Sequence, residues 1–300
     1  MTLPNFFIIG AARSGTTSLY NYLDQHPEVY MSPVKEPNFY FLEGVADQIR
    51  GRASRAWLKT CVATRKQYLA LFRGVTDEKA IGEASVFYLS RDIAARAIHR
   101  DVPRARIVAA LRHPVERAYA AYLGARLAGT ERAASFREAL DRDVERPPST
   151  WYSGRYRYDG LYYEHLSRFY SLFDRERIHI HLFEDFTTDP RRVVQGIFSK
   201  LGVDTSFEPD TSIRHNPTGV IRNPLAHWIW SRSRPIRYRL RKHLTAKVRD
   251  LAFPLFARSG LERPPIPEEI RAELGEYYRP DIERLQDLID RDLSHWLDLC

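Results

Sequence analysis

The chain has 300 residues, a formal net charge of +8 and a pI near 9.5, and 44% of its residues are hydrophobic. It is long enough for one large α/β domain with a real core, and its basic balance favours anionic ligands: nucleotide phosphates, acidic glycans, nucleic acid or an anionic membrane. The two cysteines, Cys61 and Cys300, make neither a disulfide framework nor a metal cluster, and no apolar run approaches the roughly 20 residues that span a bilayer.

Phe6, Phe7, Ile8 and Ile9 form a short apolar run closed by Gly10, the pattern of a strand buried on both faces. Ala11 to Gly15 make a small-residue loop. Thr16 and Thr17 are placed to cap a helix, and Leu19, Tyr22 and Leu23 fall on one face of it. Strand, glycine loop and helix N-terminus in that order aim several backbone N–H groups and the positive end of a helix dipole at one point, an anion site. Gly10, Gly15 and Thr17 keep the register of the P-loop pattern G-x-x-x-x-G-K-[ST], but Thr16 stands where the lysine belongs and the cation comes earlier, at Arg13. Such a loop suits a 5′-phosphate group and lacks the residue on which ATP and GTP users depend. In a mere tight turn the cation, both glycines and the paired threonines would coincide by accident.

The segment IIGAARSGTTSLYNYL resembles the 5′-phosphosulfate-binding loop of sulfotransferases, the enzymes that use 3′-phosphoadenosine 5′-phosphosulfate (PAPS). In that family the loop cation is lysine or, in bacterial-type members, arginine. The resemblance implies a donor without a γ-phosphate and a reaction that needs no metal. It places Arg13, Ser14, Gly15, Thr16, Thr17 and Ser18 around the 5′-phosphosulfate. Animal Golgi members carry an N-terminal membrane anchor that has no counterpart here, so a soluble, cytoplasmic protein is expected.

Pro27, Pro33 and Pro37 rule out a continuous helix from His26 to Phe41 and leave a structured loop after the first βα unit, on the ligand-facing edge of an open sheet. Sequence physics by itself favours a solvated Lys35–Glu36 pair on that loop. KEPNFYF, however, resembles the K-E-P-x-F-F segment of carbohydrate sulfotransferases related to the heparan enzymes. That resemblance implies that Glu36 is the general base toward the acceptor, with Lys35 at the substrate. His26, in the turn after the first helix, is read as structural. Between residues 46 and 80 only Tyr68, Leu71 and Phe72 suggest an amphipathic turn. Lys79 to Ser90 reads as a strand running into a loop and resembles the family's G-E-x-S-x-x-Y-L segment, which makes Glu83, Ser85 and Tyr88 candidates on the acceptor side. As strand-end polar residues they also have an ordinary account. A serine-capped helix is expected over Ser90–His99.

Ala105 to Leu111 is the second buried strand, ending at Arg112, with a helix over Val115–Ala128 and proline near its start. An arginine at this strand end suits a second phosphate better than a magnesium site. RHPVERAYAAY resembles the motif that grips the 3′-phosphate of PAPS through an arginine and a serine eight residues later; Arg112 matches, whereas the serine position is Ala120. Ser135–Glu145 reads as a charged helix. Tyr162, His165, Leu166, Phe169 and Tyr170 form a helical stripe of core type, Arg177–Phe186 a further strand, and Asp189-Pro190 opens a helix to about Leu201. His179 and His181 lack a third ligand at convincing spacing and are read as structural.

Arg214 to Pro224 is loop-like, and Gly219 with Arg222 loosely resembles the family's late basic loop over the 3′-phosphate. From Arg222 to Arg258 there are ten Lys/Arg and one acidic residue, Asp250, with Trp228 and Trp230 among them. This is either a basic surface for an anionic lipid or glycan or a solvated helix with buried tryptophans. One or two amphipathic helices come next over 267–290, and DLSHW resembles the family's C-terminal packing element.

The expected fold is α/β, a P-loop-like parallel sheet of about four or five strands with helices on both faces, in one domain over 1–300 with a basic helical segment at 222–258. The expected function is sulfuryl transfer from PAPS, releasing 3′-phosphoadenosine 5′-phosphate (PAP), to a hydroxyl or amine of a small-molecule or glycan acceptor. Two other functions stay open. One is a P-loop phosphotransferase, opposed by Thr16 and Arg112. The other is a basic nucleic-acid or membrane-surface module built on 222–258, for which no nucleic-acid motif is present.

Overall fold

The Phe6–Gly10 run forms strand β1, with every residue buried. In the computed structural model, which describes residues 2–43, 45–49, 57–145, 155–213, 220–221 and 261–298, β1 is the centre of a five-stranded sheet. The other strands are β2 (Val29–Met31), β3 (Ala80–Ala84), β4 (Arg106–Leu111) and β5 (Ile178–Leu182), in the order β2-β3-β1-β4-β5. All four pairings are parallel. Central position explains the continuous apolar run of β1: both of its faces are covered.

Alternation along the strands divides the core in two. Phe6, Ile8 and Val108 face α1 (Thr16–Leu23) and, further along the chain, the helix Pro190–Leu201, whose Val194, Ile197 and Phe198 are fully buried. Phe7, Ile9, Ile107, Ala109 and Leu111 face the other way. That side is covered by α2 (Phe39–Leu42), α3 (Arg65–Ala70), α4 (Asp92–Asp101), α5 (Pro114–Leu127), α6 (Phe136–Glu145) and α7 (Tyr162–Tyr170). The short α8 (Phe183–Thr188) links β5 to α9 (Pro190–Leu201), and the described chain ends with α10 (Glu268–Ile289) and α11 (Ser294–Leu297).

Several boundaries differ from expectation. β2 lies within the proline-rich loop; three residues are too few to show a period. The expected strand over Arg177–Phe186 stops at Leu182, and Phe183 begins α8. Ser90 does not cap α4: Arg91 holds the N-cap position, and its side chain bonds Ser90 and Asp159 rather than capping the helix. Pro114 does stand in the first turn of α5, and the His113 ring accepts from the Val115 N–H at 3.3 Å. Asp189 caps α9 through the Arg192 N–H at 2.9 Å.

Of the expected stripe, Tyr162, His165, Leu166 and Phe169 are core, whereas Tyr170 is only partly buried. The C-terminal helix is single and runs through Pro280. Its buried Ile270, Leu274, Tyr278, Ile282 and Leu285 recur every three or four residues. Tyr278 donates to the carbonyls of Tyr156 and Arg157, and Asp281 accepts from the N–H groups of Tyr163 and Glu164, so α10 fixes the entry to α7. Two short antiparallel strands, β6 (Val220–Ile221) and β7 (Leu261–Glu262), pair with each other. Gly219, Arg222 and the basic segment 222–258 lie outside the described residues. Among the described residues no helix is long and apolar enough to cross a membrane.

Candidate active site

Register sets the carboxyl ends of β3, β1 and β4 side by side: Ile8 pairs with Ala84 and Gly10 with Ala109. Backbone bonds continue past the strands. The Ala11 N–H donates to Ala110 O at 2.7 Å, Ser85 N–H to Ile8 O at 3.0 Å, Leu89 N–H to Ile9 O at 2.9 Å and Glu36 N–H to Ala84 O at 2.8 Å. The loops at 11–15, 32–38 and 85–91 therefore meet Arg112 along one edge, where open α/β sheets bind ligands.

Gly15 is the N-cap of α1 and sits at φ 82, a left-handed conformation that glycine adopts without a Cβ clash. No side chain caps the helix, which corrects the expectation for Thr16 and Thr17: they are its first two residues. It is their amides, which have no carbonyl partner within the helix, that open toward the loop. Thr16 and Ser18 are buried, and Ser14 Oγ is buried without a hydrogen-bond partner. Phe183 and Phe186 close beneath this turn; a Cβ on Gly15 would lie 3.1 Å from Phe186. Nothing in the sequence near β5 ties those two rings to a loop so far back in the chain.

Arg13 also has a left-handed backbone, φ 70. Its guanidinium lies directly on Gly124 of α5, where an added Cβ would fall 1.7 Å from Nη2. Burial pulls this guanidinium below its ordinary pKa, and the charge of Glu36 works in the opposite direction. The loop cation and the K-E-P glutamate thus share one electrostatic environment. Gly124 went unremarked at the sequence level. Its signal was a glycine inside a helical pattern, which costs about 1 kcal/mol relative to alanine and so asks for a packing reason.

Glu36 sits at φ 61 with its N–H bonded to the end of β3, and its carboxylate meets Lys35 Nζ at 2.8 Å. Its side chain is one-third exposed (33%), so the Lys–Glu pair expected from sequence physics is present and reaches the surface at the sheet edge. Asn38 Nδ2 donates to the Glu36 carbonyl at 2.8 Å.

Glu83, at the end of β3, and Ser85 and Tyr88, just beyond it, are all fully buried beneath the Glu36 loop. Ser85 Oγ accepts from the Asn38 N–H at 3.1 Å, and the Tyr88 hydroxyl accepts from the Tyr40 N–H at 3.2 Å, so they hold the loop from below. Burial pushes the Glu83 carboxyl up to about 7. The hydroxyls of Tyr68, Tyr88 and Ser85 lie round it and work the other way, but neither carboxyl oxygen has a partner in hydrogen-bond geometry.

Arg112 directly succeeds β4 and is nearly buried. Its Nη1 donates to the Arg13 carbonyl at 3.2 Å, its guanidinium lies 4.7 Å from the centre of the Phe183 ring, and Nη2 is 3.7 Å from Glu116. Burial foremost, then the charge of Arg263, push it down to about 10. The Tyr162 hydroxyl donates to the Arg112 carbonyl at 2.8 Å. Ala120, on α5, is fully buried and offers no hydroxyl. His26 has the structural role expected of it: Nε2 meets the Asp204 carbonyl at 2.8 Å, Nδ1 accepts from the Glu28 N–H at 3.0 Å, and the ring packs on Phe198 and Phe207. His179 and His181 lie on the edge strand β5, each pushed down to about 4 by burial.

A family model described as the sulfotransferase family matches residues 4–209. A solved sulfotransferase from Alicyclobacillus acidocaldarius is 34% identical and superposes with a TM-score of 0.75, covering 99% of both chains. The membrane-associated sulfotransferase kil1 of Dictyostelium discoideum is 34% identical over 122 residues, covering 41% of this chain and 23% of its own. Human carbohydrate sulfotransferase 15 is 32% identical over 163 residues, 40% of this chain and 27% of that one. The chain thus matches about a quarter of the length of these curated relatives.

Proposed function

The chain belongs to the sulfotransferase family, and from that premise we propose that it transfers a sulfuryl group from PAPS to a hydroxyl or amine of an acceptor, with carbohydrates and glycolipids the first class to test. The observation that carries this reading is one sheet edge: the Arg13 loop leaves the carboxyl end of β1 and the Glu36 loop is bonded to the carboxyl end of its neighbour β3, which brings a loop cation suited to a departing phosphate and a carboxylate suited to an acceptor's proton to the same edge.

The residues present fit the donor. The left-handed Gly15 and the opening amides of α1 form a cradle for an anion, and Arg13 and Arg112 add positive charge on either side. Bound PAPS supplies an activated sulfuryl group whose transfer leaves PAP. Thr16, Thr17 and the loop amides hold the 5′-phosphosulfate. Arg13 stabilises the charge that grows on the leaving phosphate oxygen, the main electrostatic task in such a displacement. Glu36, held by Lys35, accepts the acceptor's proton as the new bond to sulfur forms. Arg112 binds the 3′-phosphate. Ser85 and Tyr88 position the Glu36 loop from below.

Titration calorimetry with PAP, AMP and ATP–magnesium tests the donor. PAP binding well above AMP is expected; preference for ATP–magnesium would replace this reading with a phosphotransferase. With radiosulfur-labelled PAPS and a panel of carbohydrate, glycolipid and phenolic acceptors, Arg13→Ala and Glu36→Gln should each lower turnover by about tenfold or more with the fold intact. Full activity in Glu36→Gln would remove it as the base.

A further inference from the structure

We propose that Arg263 and Arg271, gathered by Glu116, complete the site for the donor's 3′-phosphate in place of the hydroxyl missing at Ala120. The inference rests on the PAPS reading above.

Arg112, Glu116 and Ala120 succeed one another at intervals of four, so Glu116 and Ala120 lie on one face of α5, a turn apart. Glu116 collects three guanidinium groups. Arg271 Nη2 reaches its Oε1 at 2.7 Å, Arg263 Nη2 bonds its Oε2, and Arg112 Nη2 stands 3.7 Å from Oε2. Three cations on one carboxylate leave a formal surplus of two positive charges. Arg263 also lies 5.7 Å from the centre of the Tyr119 ring, the residue next to Ala120. Its position there is set by the fold: it comes directly after β7, and β6, the partner of β7, packs on α5. Arg271 comes from the first turns of α10.

An ordinary surface salt bridge brings one cation to one anion. Here Arg112 is already desolvated and carries a second arginine against it. Of the charged groups that act most on it, Arg263 and Arg117 are cations and Glu116 is the one carboxylate. A dianionic phosphate would offset that repulsion, and paired guanidinium forks match its geometry. Arg263 and Arg271 keep about a third of their side-chain surface (33% and 29%), so both can reach a ligand. Arg112 in turn is bonded to the Arg13 carbonyl, which joins this cluster to the 5′ loop. One end of the nucleotide would meet each.

Calorimetry of the full chain with PAP and with AMP, which lacks the 3′-phosphate, tests the assignment. Arg263→Ala is expected to weaken PAP binding by about tenfold or more while leaving AMP binding unchanged, and Arg271→Ala to do the same to a smaller extent. Retained AMP affinity shows that each variant is folded and its loop intact. A wild-type ratio of PAP to AMP affinity in both variants would overturn the assignment while leaving the PAPS reading standing. Equal affinity of the unaltered protein for PAP and AMP would overturn both.

Discussion

The guanidinium of Arg13 is positioned by a residue with no side chain. Gly124 faces it across α5, and any Cβ there would occupy the space of Nη2 and Cζ. The atoms a Cβ would meet are the far end of a flexible side chain that is only partly buried, so the guanidinium must shift away from this position. Alanine is the better helix former by about 1 kcal/mol, so Gly124→Ala should leave thermal stability equal or higher. Turnover should nevertheless fall by about tenfold or more, as in Arg13→Ala. Unchanged turnover in a folded Gly124→Ala protein would show that the Arg13 guanidinium does not act from this position. At this scale the sequence showed which cation stood in the loop, because loop and strand are contiguous. It did not show what faced that cation, because Gly124 lies far along the chain and belongs to another element.

Among the elements, the pairing of β1 with β3 has the least slack. Phe6 pairs with Gly82, and its ring lies over the glycine so closely that an added Cβ would fall 2.1 Å from Cζ. Phe6 is fully buried, with Val29, Ala80 and Val108 in the same cluster. Gly82→Ala must therefore displace an aromatic ring in a filled core. It is expected to destabilise by about 1–3 kcal/mol, read as a lower urea midpoint at unchanged slope. A wild-type midpoint would mean that the two strands separate more easily than this packing allows. β3 also receives the Glu36 N–H at its carboxyl end, so the same substitution should disturb the Glu36 loop. The strands were legible because apolar runs of four to six residues between glycines and charges have few alternatives. β2 was not, since its Val-Tyr-Met lies among prolines and is a strand only because β3 pairs with it.

For the molecule as a whole, Glu83 couples stability to pH. In the unfolded chain its carboxyl titrates near the ordinary 4.5, and in the folded protein burial raises it to about 7. Below 4.5 both states hold the proton and Glu83 leaves stability unchanged. Between 4.5 and 7 the folded state alone retains it, so stability falls as pH rises. Above 7 the loss is complete, of order 3 kcal/mol. Denaturant unfolding at pH 5 and pH 8 should show this slope in the wild type. Glu83→Gln, neutral at both, should lose that part of the slope and be the more stable protein at pH 8. Parallel pH dependence in the two proteins would mean that Glu83 is not the group responsible.

The amino-acid sequence by itself determined the parallel α/β class, the loop with Arg13, Gly15 and the threonines, and the arginine after β4. Each is written in adjacent residues, where strand period, turn chemistry and helix start act over a few bonds. Tertiary structure alone decided that Ser85 and Tyr88 hold the Glu36 loop from below and that Glu83 is fully buried, because burial depends on what packs above them. It also decided that Arg13 rests on Gly124, and that Arg263 and Arg271 join Arg112 at Glu116. These groups are far apart along the chain and meet only where the sheet edge, α5 and the C-terminal elements close on one another.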